Sequence, residues 1–77
     1  MTAEATLLAR IVADLRAHIE SGDWPPGARI PSIRQLRTQH GCSDQPVRSA
    51  LLTLQASGWL RGERRVGVFV VDDPPIT

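Results

Sequence analysis

Lysine is absent from this 77-residue chain, and all nine cationic side chains are arginine. That leaves only rigid guanidinium forks, the shape that suits phosphates and guanine edges. Cysteine occurs once, at Cys42, which excludes an internal disulfide and fits a reducing compartment. No run approaches the ~18 consecutive apolar residues of a membrane span. The N-terminus lacks the basic start and apolar run of a signal peptide, so a cytoplasmic protein without membrane association is expected. Histidine is limited to His18 and His40, on different predicted helices and without metal-ligand spacing to Cys42. With no nucleophile–base pair and no glycine-rich phosphate loop, neither catalysis nor a metal or other cofactor is expected. Internal repeats and low-complexity tracts are lacking as well.

What the chain does contain is enough for one domain, which at this size buries only ~60% of its unfolded surface. An apolar fraction of 42% and a charged fraction of 22% belong to an ordinary globular domain. The formal net charge of +1 conceals a division. From Arg29 to Val71 seven arginines face only Asp44 and Glu63, a net of +5, while the rest sets Arg10 and Arg16 against six carboxylates, a net of −4. Such a basic block is a surface for a polyanion; the plainer reading is a solvated mixed surface.

Leu8, Ile11, Val12, Leu15 and Ile19 recur at helical spacing, which predicts a helix from about Thr2 to Ser21 with one apolar face. Thr2 stands at its N-cap and Glu4 in its first turn, where the dipole favours a carboxylate. Gly22 stops it, and Pro25 and Pro26 keep it from resuming. Trp24 in the following turn reads as a lid over the core, with ligand stacking as the sharper alternative. Ile30-Pro31 is an extended lead-in placed to pair with later strands, because the residue before proline is pushed out of the α region.

Ser32 and Gln35 match a capping box that starts a second helix, running to about His40 with Ile33 and Leu36 inward and Gly41 as its stop. Ser43 is positioned to cap a third helix, about 43–57, whose first turn tolerates Pro46. Val47, Ala50, Leu51 and Leu54 form its inward stripe, and Gln45, Arg48, Ser49 and Leu52 lie opposite. Beyond Gly58, Trp59-Leu60-Arg61 and Val68-Phe69-Val70-Val71, joined by the polar G-E-R-R-V-G, predict a hairpin over about 59–71. The fold class is mainly α with a small β-hairpin, a winged helix-turn-helix of three helices followed by a two-stranded wing. It occupies residues 1–71, and 72–77, with two prolines and no periodicity, is expected to be a flexible tail.

The series G-D-W-P-P-G-A-R-I-P-S-I-R-Q-L, G-C-S-D-Q-P-V-R-S-A-L-x-x-L, S-G-W-L and G-V-F-V resembles the N-terminal winged helix-turn-helix domain of GntR-type bacterial transcription regulators. The resemblance runs from about Leu8 to Val70. It implies a sequence-specific regulator, such as a repressor, that docks its third helix in the major groove of double-stranded DNA and its wing at the adjacent minor groove. It further implies that Arg34 contacts DNA from the start of the second helix, that Gln45 and Arg48 occupy contacting positions, and that Gly67 shapes the wing. The residue chemistry agrees, since glutamine and arginine pair with adenine and guanine edges. The candidate DNA-facing set is Ser32, Arg34, Ser43, Asp44, Gln45, Pro46, Arg48, Ser49, Arg64, Arg65 and Gly67.

The chain departs from the family pattern in three places. Asp44 stands where a basic residue is usual; it can cap the helix or accept from a cytosine, and it repels phosphate. The wing tip is one residue shorter than usual, which leaves Arg64 and Arg65 to take its minor-groove role. The family's C-terminal effector-sensing and dimerisation domain is absent from these 77 residues, so no small-molecule effector site is expected, and a homodimer, assembled with or without DNA, is left open. A protein-interaction module that kept the fold and lost DNA affinity is the alternative. Asp44, the short wing and an outward Leu52 favour it, unless Leu52 packs beneath the wing or the first helix.

Overall fold

The computed structural model describes residues 3–75. Helices α1 (Ala3–Glu20), α2 (Ile33–His40) and α3 (Asp44–Ala56) precede strands β1 (Leu60–Glu63) and β2 (Gly67–Val70). The expected order of elements is present; the Thr2 cap lies outside the described residues. Ile11, Leu15 and Ile19 are the buried edge of α1, with Leu8 and Val12 half-buried beside them, and this helix packs chiefly on α3.

At eight residues, α2 is shorter than the ~12–15 a helix needs to persist alone, so its ends and its packing decide it. Both halves of the capping box form: Gln35 N donates to Ser32 Oγ at 3.2 Å, and Ser32 N donates to Gln35 Oε1 at 2.8 Å. At the other end Gly41 takes a φ of 62°, and the Cys42 amide donates back to Arg37 O at 3.1 Å. Leu36 fixes the helix to the core with no exposed surface. Ser43 occupies the N-cap of α3 with extended backbone, but its side chain makes no capping bond, so the charge of Asp44 is what complements that helix start.

The hairpin pairs Leu60 with Val70, Arg61 with Phe69, Gly62 with Val68 and Glu63 with Gly67. The strands are displaced by a residue or two from the expected ones, and beyond them Val71 N still donates to Trp59 O at 3.2 Å, beside the buried Trp59 ring. The lead-in before Pro31 does pair, along the second edge of β2. Gly27 N donates to Val70 O, Val70 N to Ala28 O and Ile30 N to Val68 O, all within 3.0 Å, and Arg29 lies opposite Phe69.

Ile11, Leu15, Leu36, Val47, Leu54 and Val70 are the fully buried centre, each contributing about 1.5–3 kcal/mol through removal of apolar surface from water. Trp24 covers one side of this core as a half-buried lid, stacked on His18 at 4.4 Å between ring centroids. Leu52, by contrast, is 64% exposed and packs beneath neither the wing nor α1. Among the described residues no helix is long and apolar enough to cross a membrane.

Candidate nucleic-acid interface

Because Val47, Ala50, Leu51 and Leu54 turn inward, α3 presents its opposite side to solvent. Gln45, Arg48 and Leu52 are exposed there, at spacings of three and seven residues that keep them on one face. Ser49 and Pro46 are half-buried at its flanks, and Ser43 is exposed at the turn between α2 and α3. Arg34 is exposed in the first turn of α2, two residues after Ser32, whose hydroxyl is held by the capping box.

The second group of candidates is on the wing. Val66 N donates to Glu63 O at 3.1 Å, closing a turn that carries Arg64 and Arg65 at its tip. Arg65 has a φ of 65°, a left-handed conformation that costs a side-chain-bearing residue about 1–2 kcal/mol. Gly67 follows with a φ of 146°, and a Cβ there would stand 2.7 Å from Arg29 Nε. The glycine is therefore favoured by its backbone angle, and a side chain there would also have to displace the Arg29 guanidinium that crosses it. The sequence candidates omit Arg29, although the lead-in that carries it is expected to pair with the later strands; its partner there is Phe69. A groove lined by Trp24, Arg29, Ile30, Pro31, Ser32 and Gln35 connects this wing base to the start of α2.

Ion pairing separates the seven arginines of the basic block. Among the described residues, Arg29, Arg34, Arg64 and Arg65 have no carboxylate within 4.0 Å, whereas Arg61 pairs with Glu63 at 2.8 Å. Arg37 and Arg48 share Asp44. The Arg37 Nη1–H donates to Asp44 Oδ1 at 3.1 Å, and Arg48 Nη2 lies 3.9 Å from Asp44 Oδ2. The Asp44–Arg48 spacing is readable along one helix; the contact with Arg37 is not, because the turn at Gly41 breaks the periodicity between them. On α1, Arg10 is exposed with no described carboxylate within 4.0 Å, and the other charges are acidic or paired. Arg16 sits 3.6 Å from Glu20, and Asp14 lies 3.4 Å from the buried Nε2 of His40 and 3.8 Å from His18. Within the basic block, unpaired guanidiniums thus lie at the wing tip, on the lead-in beside β2 and at the start of α2, with one glutamine and one arginine near Asp44 on α3, while Arg10 stands apart on α1. No group of three side chains able to hold a metal ion occurs among the described residues.

The fold recurs in known proteins. AraR(DBD) in complex with operator ORR3 superposes with a TM-score of 0.82 at 28% identity, covering 84% of this chain and 78% of that one. Another AraR(DBD) structure, in complex with operator ORE1, gives 0.83 at 27% identity, over 92% and 83% of the two chains. In sequence, the chain is 38% identical over 68 residues to the histidine utilization repressor of Pseudomonas aeruginosa, and 41% identical over 58 residues to an HTH-type transcriptional regulator of Mycobacterium tuberculosis. It covers 88% and 75% of itself in those matches but spans only 27% and 22% of the relatives' lengths. The family described as bacterial regulatory proteins, gntR family, matches residues 7–70, and the chain belongs to that family.

Proposed function

We propose that this chain is the DNA-binding unit of a GntR-type transcriptional regulator and acts by sequence-specific binding to double-stranded DNA, with no catalytic step. The observation that supports the reading is the placement of the unpaired arginines of the basic block: Arg34 at the start of α2, Arg64 and Arg65 at the wing tip and Arg29 on the segment paired with β2, together with the outward Gln45 and Arg48 of α3. Phosphate contacts set register and base contacts set sequence, and the two kinds of group are separated in that way here. Arg34, Arg64 and Arg65 anchor on the sugar–phosphate backbone, with the wing at a minor groove beside the groove that receives α3. Gln45 and Arg48 address base edges, Ser49 lines the same face, and Ser32, Ser43 and Pro46 bring the backbone of the two helix starts close to phosphates. Gly67 leaves the wing the room it needs. Residues 1–71 form the binding unit and act in the cytoplasm; pairing on an operator as a homodimer is the arrangement that half-site recognition by this fold favours.

The test is selection from a random duplex pool followed by fluorescence anisotropy on the enriched duplex. The chain is expected to enrich a defined sequence, and Arg48→Ala and Arg34→Ala are expected to weaken binding by about 1–3 kcal/mol and by less, respectively, with unchanged circular dichroism. Failure to enrich any sequence, or unchanged affinity in both variants, contradicts the reading.

A further inference from the structure

The carboxylate of Asp44 stands between guanidiniums from two different helices, in the middle of the face assigned to DNA. One oxygen accepts from Arg37, in the last turn of α2, and the other faces Arg48, one turn further along α3. All three side chains are about half exposed, at 44%, 45% and 58% for Arg37, Asp44 and Arg48, so an incoming duplex meets them together.

Two physical consequences follow. A guanidinium carries five donors in a fixed fork, and an acceptor at one edge leaves the other edge facing a set direction. Bidentate reading of guanine depends on that direction, whereas attraction to a phosphate is indifferent to it. The same carboxylate repels phosphates, and binding to DNA of arbitrary sequence is almost wholly phosphate attraction. Asp44 therefore weakens arbitrary binding while leaving, or improving, the presentation of Arg48 to a base. Among the described residues of the basic block the distribution of partners fits: the arginines without a carboxylate are those of the wing tip, the lead-in beside β2 and the start of α2, and the one on the reading face of α3 has the Asp44 carboxylate 3.9 Å away as an ion pair.

We infer that Asp44, itself anchored by Arg37, is a specificity-determining positioning residue, which orients Arg48 and trades general DNA affinity for discrimination between sequences. The inference rests on the DNA-binding reading above. Its test compares wild type, Asp44→Asn, Arg48→Ala and the double variant by fluorescence anisotropy over a salt series. The probes are a duplex enriched from a random pool by the wild-type chain and a scrambled duplex of the same length.

Asp44→Asn is expected to bind the scrambled duplex several-fold more tightly and to steepen the dependence of log K on log salt by up to about 0.9, the value for one further phosphate contact. The ratio of affinities for enriched over scrambled duplex should fall by roughly tenfold, the size of a partly lost base contact. In the Arg48→Ala background the same substitution should still strengthen scrambled binding but leave the ratio unchanged. A ratio that survives Asp44→Asn in the wild-type background overturns the inference and reduces Asp44 to a charge at a helix start. A ratio that falls equally with and without Arg48 overturns it too, because the effect then does not pass through that side chain. If the wild-type chain enriches no duplex, the DNA-binding reading fails and takes this inference with it.

Discussion

Arg65 holds a backbone angle that glycine or asparagine would adopt at less cost, and it does so at the tip of the wing. Strain kept at an exposed turn points to a use for the side chain. Arg65→Gly is expected to stabilise the fold by about 1 kcal/mol, and so to raise the melting temperature by several degrees in a domain of this size. The same change should flatten the salt dependence of DNA binding by about 0.9. An unchanged salt slope would place the wing tip away from the duplex. Gly67 runs the opposite way. Gly67→Ala forces a side chain into a φ of 146° and against Arg29, and should cost about 1–3 kcal/mol in thermal unfolding. In an Arg29→Ala background the loss should shrink, because only the backbone part of the penalty is left. Equal losses in both backgrounds would show that the close approach of Arg29 contributes nothing.

Among the elements, α2 is the one whose existence depends most on a single local device. Removing the Ser32 hydroxyl breaks half of the capping box, and Ser32→Ala is expected to cost about 0.5–2 kcal/mol in urea unfolding. On α3 the two faces should respond in opposite ways. Leu54→Ala removes a side chain with 1% exposure and should cost about 2–5 kcal/mol, whereas Leu52→Gln, at a site 64% exposed, should stay within about 0.5 kcal/mol. The helices were legible in the sequence because glycine, proline and serine punctuate them, and the Ser32–Gln35 box and the Gly41 stop agree with the packing that followed. Strand limits were less so, since they depend on the wing turn and on the backbone angle of Gly67, which periodicity does not report. The site was half legible: Arg34, Gln45 and Arg48 could be placed by helical phase. Arg29 and the Arg37–Asp44 contact could not, because each joins elements separated by a turn, where periodicity carries no information. Ser43 shows the same limit, for the position was readable but the missing capping bond was not.

At the scale of the molecule, the sequence division into a +5 block and a −4 remainder becomes a spatial one. Among the described residues, the wing, the lead-in beside it and the helix-turn-helix carry four unpaired arginines, while the exposed side of α1 holds Asp14 and Glu20 beside the single unpaired Arg10. Four arginines without carboxylate partners correspond to a slope of log K on log salt of about −3 to −5 on duplex DNA, at about −0.9 per phosphate contact. A slope near zero would mean that the polarity serves some other partner. The most direct measurement is of the face itself: two-dimensional amide NMR of the chain titrated with an enriched duplex. Shifts should concentrate at the start of α2, at residues 43–52 of α3 and at the wing tip around Arg64–Gly67, with the exposed side of α1 unmoved. Shifts confined to α1 and the Trp24 turn, with α3 silent, would contradict a helix-turn-helix that meets DNA through α3.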